Sequence, residues 1–158
     1  MASTLKRTIA FFAIALFLAV SSSASFAAAQ PKIMKIGFVA ARNTAQAKAM
    51  YKFAELVEQK TNGSIKGEIF PESQLGGIRG MIEATQMNVC QVYFGGAGDM
   101  APFSPRFNLL EMHMLIPHDT FDDYAAGDAI FNSPIAQDIL KDLEAVGMKG
   151  LSYWDNGY

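Results

Sequence analysis

Between Ile33 and Phe94 the chain alternates strand-like and helix-like hydrophobic periods, and that alternation restricts the fold more than any other feature. Ile33 to Val39 (IMKIGFV) reads as a strand. Ala47, Met50, Ala54 and Val57 then recur at helical spacing, joined by Phe53 and Leu56, so a helix is expected to about Thr61. Asn43 or Thr44 is its candidate N-cap, and Asn62-Gly63 its stop. From Ser64 to Phe70, Ile65, Gly67 and Ile69 alternate with Lys66 and Glu68, the pattern of a strand with one wet face; Pro71 ends it. Gly77 to Asn88 reads as a second helix with Ile78, Met81, Ile82 and Thr85 on one face, weakened by Gly80. A further strand follows. The order β-α-β-α-β implies parallel strands, right-handed crossovers and helices covering the sheet, an α/β fold.

That further strand opens the stretch Val89 to Met100, VCQVYFGGAGDM. Its first half is apolar and rich in β-branched and aromatic residues, as in a strand buried on both faces of a parallel sheet. It breaks into Gly95, Gly96, Ala97 and Gly98 before Asp99. Glycines let backbone approach a ligand closely, and ligands of open α/β sheets sit beyond the carboxyl ends of strands. The stretch is therefore a candidate pocket floor; a loop without a ligand is the alternative. Gly96, Gly98 and Ala101 also match the dinucleotide fingerprint G-x-G-x-x-A, but Pro102 and Pro105 leave little room for the helix that motif needs.

After Pro105 the periodicity loosens, and Leu109 to Ile116 fits either a strand or an extended connector. Thr120 to Phe131 reads as a helix with Asp122 and Asp123 in its first turn. Ser133 caps another, with Pro134 at its first position, a buried face of Ile135, Ile139, Leu143 and Val146, and Gly147 closing it. Met148 to Trp154 reads as a last strand, followed by a turn at Asp155-Asn156-Gly157.

Residues 1–29 have the marks of a secretory signal: Lys6 and Arg7, an apolar run from Ile9 to Val20, then Ala27-Ala28-Ala29. The run is about a dozen residues, short of the roughly 20 a spanning helix needs. The expected product is exported and not held in the membrane once cleaved, with residues 30–158 as one domain. All 15 acids lie beyond residue 29, while two of the 13 bases lie before it, so this part is mildly acidic. Without a basic stripe, nucleic acid is not an expected partner. The single cysteine, Cys90, has no disulfide partner and reads as a small buried residue.

His113, His118, Asp119, Asp122 and Asp123 crowd together, but in an extended stretch the two histidines point to opposite faces, and they read as part of a solvated acidic turn. No metal or cofactor is expected. There is no G-x-S-x-G nucleophile elbow and no marked pair of carboxylates. Ligand-binding chemistry has more behind it. Arg42, beside Asn43, follows the first strand; Gly95, Gly96 and Asp99 follow the third; Trp154 and Asn156 close the last. Arginine can fork onto a carboxylate, and asparagine offers both a donor and an acceptor. Taken singly, Arg42 could be a surface charge, Trp154 core and Asn156 a turn; their co-location at strand ends favours a site.

The run Phe53-Ala54-Glu55-Leu56-Val57-Glu58-Gln59-Lys60-Thr61-Asn62-Gly63, then Ile69-Phe70-Pro71-Glu72-Ser73-Gln74-Leu75-Gly76 and Met81-Ile82-Glu83-Ala84, resembles one family. It is the periplasmic solute-binding proteins of tripartite ATP-independent (TRAP) transporters, DctP type. Leu151 to Tyr158 resembles the same family. The resemblance implies a two-lobed periplasmic-binding-protein-like molecule that closes on a small organic acid and delivers it to an ion-gradient-driven membrane permease. This chain would supply the first three-layer lobe, with a mostly parallel sheet, and lack the second. In the family a carboxylate-clamping arginine follows the N-G-Y-like turn; here Tyr158 is one position short of it. The family usually has Gly where Asn88 stands and Asp at Gln91, and often Pro at His113. Two other classes fit an exported α/β domain: a hydrolase or lyase acting on a small acidic substrate, and a partner-binding module.

Overall fold

The computed structural model describes residues 30–112 and 124–154. Five elements follow in the expected order: β1 (Lys32–Phe38), α1 (Ala45–Lys60), β2 (Ile65–Phe70), α2 (Ile78–Gln86) and β3 (Val92–Phe94). β1 is central. It pairs in parallel with β2, from Lys32 opposite Ile65 to Gly37 opposite Phe70, and with β3, from Ile36 opposite Val92 to Phe38 opposite Phe94. The sheet order is therefore β2-β1-β3.

Local chemistry sets the helix ends. Thr44 is the N-cap of α1, its side chain accepting from the Ala47 amide at 3.2 Å. At the other end Asn62 and Gly63 turn left-handed (φ 50° and 76°), and the Gly63 amide donates back to the Glu58 carbonyl at 2.8 Å. α2 stops similarly: Asn88 takes φ 57°, and the Val89 amide returns to the Ala84 carbonyl at 2.8 Å. That left-handed position is why glycine suits the site and why asparagine, which tolerates it better than most residues, can replace it.

Helices cover both faces of the sheet. Ile36 and Phe38 pack with Ala47, Met50 and Ala54 of α1. Each fully buried side chain of this kind stabilises by about 1.5–3 kcal/mol. Gly67 of β2 lets α1 settle close, because a Cβ there would lie 2.5 Å from the Ala54 Cβ. Gly37 looks to the opposite face, where a Cβ would meet Met81 Sδ of α2, Leu75 and Cys90. Helix, sheet and helix make three layers, as an α/β sequence pattern demands. Buried Cys90 donates to the Val92 carbonyl at 3.2 Å, consistent with a packed thiol.

Several expectations are corrected. The strand expected from Val89 is confined to Val92–Phe94, and its residues are half-buried. Val89 is exposed, because the left-handed exit from α2 turns it outward. The Gln91 side chain takes over part of the ladder, accepting from the Lys35 amide at 2.9 Å. Ala97–Met100 and Pro105–Glu111 are 3-10 segments, so Leu109 to Glu111 are neither strand nor extended connector. Met148 to Trp154 form no strand either; the stretch lies against a second apolar cluster of Phe107, Ile139, Leu140 and Leu143, to which Met148 and Tyr153 contribute.

α3 (Tyr124–Phe131) and α4 (Pro134–Lys141) lead into that cluster, and the chain continues as a 3-10 turn, Asp142–Val146. Ser133 caps α4 as expected, accepting from the Ala136 amide at 3.2 Å, and Gly147 ends the segment at φ 78°. The buried face differs from the expectation: Ala136, Ile139 and Leu140 point inward, and Ile135 is exposed. With Leu143 these residues keep the i, i+3, i+4, i+7 spacing of one helical stripe, which leaves Ile135 at its edge. Arg106 fastens the cluster from outside, reaching Asp138 (3.1 Å) and Asp142 (2.9 Å), while buried Ser104 donates to Asp142 at 3.0 Å. The expected signal at residues 1–29, the start of the helix expected from Thr120, the turn expected at Asp155-Asn156-Gly157, His113 and His118 lie outside the described residues.

Candidate functional site at the strand tips

Parallel pairing puts the carboxyl ends of β1, β2 and β3 on one edge of the sheet. In doubly wound sheets of order 2-1-3 the ligand crevice opens between the loops that leave strands 1 and 3. Here those loops carry Arg42 with Asn43, and Gly95 with Gly96. All four residues are exposed.

Arg42 is held from the neighbouring loop. Its Nε lies 3.7 Å from Oε2 of Glu72, with the Arg42 side chain 60% exposed. Glu72 and Ser73 are both left-handed (φ 55° and 58°), an uncommon conformation for two consecutive non-glycine residues. Backbone hydrogen bonds keep them there: the Glu72 amide donates to Ala40 at 3.2 Å and the Ser73 amide to Phe38 at 3.1 Å. The P-E-S-Q-L-G stretch thus stitches the exit of β2 to the exit of β1. Strain of this sort persists where surrounding structure enforces it, often at functional sites. Glu72 was missed by the sequence reading; only the turn that brings it to Arg42 reveals it.

The glycine-rich exit of β3 is shaped by two carboxylates. Asp99 Oδ2 accepts from the Tyr93 hydroxyl at 2.7 Å and from the Gly96 amide at 2.8 Å. Burial, and then the adjacent Asp99 carboxylate, push the Tyr93 phenol well above its ordinary range. The Gly98 amide donates to Oε1 of Glu111 at 2.7 Å. Gly95 has a reason of its own. A Cβ there would collide with the Tyr93 hydroxyl and lie 2.5 Å from Asp99 Oδ2. The missing side chain at Gly95 makes way for the Tyr93–Asp99 pair, and Asp99 is engaged in holding the loop. Tyr93 and Glu111 carry no motif signal in the sequence; their roles follow from the turn itself.

Trp154 joins the same tip. Its ring packs edge-on against Phe94, the last residue of β3, at 5.7 Å, and Phe94 in turn meets Phe38 edge-on at 6.4 Å. Trp154 remains 51% exposed, so it forms a ledge there and not a core residue. The structure therefore brings Arg42, Asn43, Gly95, Gly96, Asp99 and Trp154 to the carboxyl edge; Asn156 lies outside the described residues.

The profile of the bacterial extracellular solute-binding protein family 7 (DctP) matches residues 36–158. The chain belongs to this family. Among DctP-type relatives, the C4-dicarboxylate-binding periplasmic protein DctP of Rhodobacter capsulatus is 34% identical over 92% of this chain and 42% of its own length. The sugar acid binding protein DctPAm of Advenella mimigardefordensis, solved with galactonate, has a TM-score of 0.72 at 27% identity, over 81% of this chain and 40% of that one. A TRAP periplasmic solute binding protein of Shewanella oneidensis, solved with succinate, has a TM-score of 0.71 at 28% identity, over 80% and 40%. These likenesses establish the periplasmic-binding-protein-like α/β fold. The chain spans about two fifths of the length of the curated relatives it matches. Among the described residues no helix is long and apolar enough to cross a membrane.

Proposed function

We propose that this DctP-family chain belongs to an extracytoplasmic solute-binding subunit of a TRAP transporter, which captures a small organic acid and hands it to the membrane permease. The observation that carries the reading is that the loops leaving β1 and β3, neighbours in the sheet, present an exposed arginine and exposed glycine backbone at the same edge. Two structural relatives solved with galactonate and with succinate support a carboxylate as the ligand.

In this reading residues 1–29 are a signal that sends the protein to the periplasm, and residues 30–158 form the first α/β lobe of a two-lobed binder. Arg42 swings from Glu72 to fork onto the ligand carboxylate, since a bidentate arginine–carboxylate pair is stronger than one loose contact at 3.7 Å. Asn43 adds a donor and an acceptor, Gly95 and Gly96 admit the ligand close to backbone, and Trp154 gives it an apolar ledge. Asn156 completes the proposed set. Asp99 acts through the loop it holds. The work is capture and hinge closure, without covalent chemistry or a cofactor.

The test is a thermal-shift series on the natural protein with a panel of small carboxylates. A ligand of the native state raises stability by about 2.7 kcal/mol at one hundred times its Kd. At least one acid is expected to raise Tm, and Arg42→Ala to abolish that rise. A flat response across the panel refutes the proposal.

A further inference from the structure

The turn that carries α1 into β2 contains a chemically reactive pair, Asn62-Gly63. The backbone nitrogen that follows an asparagine can attack the side-chain carbonyl carbon, and glycine hinders that attack least because it has no Cβ. A bond forms from Gly63 N to Asn62 Cγ, the Cγ–Nδ2 bond breaks, and ammonia leaves with the amide proton, closing a five-membered imide. Water then opens the imide at either carbonyl and gives aspartate or isoaspartate. Asn62, Gly63 and Ser64 are all exposed, so water has access.

The fold opposes the first step. The Gly63 amide donates to the Glu58 carbonyl at 2.8 Å, and the imide has no N–H with which to make that bond. The same carbonyl accepts from the Thr61 hydroxyl at 3.3 Å, and that hydroxyl accepts from the Ile65 amide at 3.2 Å. The Ser64 carbonyl takes the Lys32 amide at 2.9 Å, which ties the turn to the start of β1. Ring closure therefore requires the last turn of α1 to open. The products do not fit back. Both carry a new negative charge at a helix C-terminus, where the helix dipole disfavours it. Isoaspartate also adds a methylene to the backbone before Gly63, displacing the amide that the left-handed pair (φ 50° and 76°) aims at Glu58.

We propose that Asn62-Gly63 is a site of spontaneous deamidation gated by the C-terminal turn of α1. The closed turn keeps Asn62 intact, opening of the turn admits the reaction, and the product leaves the turn unlatched. The proposal is independent of what the strand tips bind.

Peptide mapping by mass spectrometry tests it, following the natural protein at neutral pH with and without denaturing urea. The map separates Asn62 from Asn156, the other asparagine that precedes a glycine. Asn62 is expected to convert at least about tenfold more slowly in the folded chain, a factor matching the protection of the Gly63 amide from hydrogen exchange. Thr61→Val removes the hydroxyl that joins Glu58 to Ile65. It is expected to speed conversion in the folded chain by about threefold or more and to leave the rate in urea unchanged. Equal rates with and without urea overturn the inference. A folded-chain rate that ignores Thr61→Val overturns it too, because something other than this turn then sets the pace. Should that variant fail to fold, hydrogen exchange on the natural protein decides: a Gly63 amide that exchanges freely while Asn62 is preserved overturns the gating.

Discussion

Gly95→Ala separates two explanations of the glycine-rich turn after β3. If the glycine serves only to admit a ligand, alanine leaves the stability of the empty protein unchanged. The structure says otherwise: a Cβ at Gly95 would occupy the place of the Tyr93 hydroxyl and lie 2.5 Å from Asp99 Oδ2. Tyr93 must then move away, and its 2.7 Å hydrogen bond to Asp99 is lost. A hydrogen bond to a charged group contributes about 1.5–3 kcal/mol. Because Tyr93 is only half-buried, the lower part of that range applies, about 1.5–2 kcal/mol. For a domain of this size that corresponds to a Tm drop of roughly 5–10 °C. The assay is urea unfolding of Gly95→Ala, Tyr93→Ala and the double variant, followed by circular dichroism. In the Tyr93→Ala background the ring is gone and only Asp99 Oδ2 remains in the way, so alanine at position 95 should cost clearly less there than in the natural background. An equal cost in both backgrounds would refute the reasoning.

Two further perturbations probe the scaffold. Asn88→Gly should leave stability near the natural value, whereas Asn88→Val should cost about 1–2 kcal/mol in urea unfolding, because a β-branched residue resists the left-handed exit of α2. Burial, and then the negative charge of Asp142, push the Tyr153 phenol up to about 12, and its hydroxyl donates to the Ala136 carbonyl at 2.7 Å. A group whose pKa is raised on folding contributes stability that is complete below its unfolded pKa, roughly 10 for tyrosine, and is lost as pH rises toward the folded value. Thermal stability should therefore fall between pH 10 and 12, and Tyr153→Phe should make that fall shallower, leaving the part that Tyr93 contributes.

Much of the stretch from Ile33 to Phe94 was legible because its signals are local. The alternation of Ile65, Gly67 and Ile69 with charged residues needs only the two-residue repeat of a strand, and it matches the burial of β2. Thr44 and Ser133 announce helix starts because a cap is satisfied within three residues of itself. Beyond Phe94 those signals weaken. Met148 to Trp154 has a strand-like composition, yet it is placed by packing on Phe107 and Leu143, contacts that no period in its own sequence encodes.

Local pattern alone sets the alternation of strands and helices, the starts of α1 and α4, and the glycines that mark the end of β3. Three-dimensional contact alone sets the order β2-β1-β3, the pairing of Arg42 with Glu72, and the packing of Trp154 on Phe94. The difference is one of range. Periods and caps are settled among residues a few positions apart, whereas these contacts join residues some tens of positions apart, which meet only once the sheet has closed.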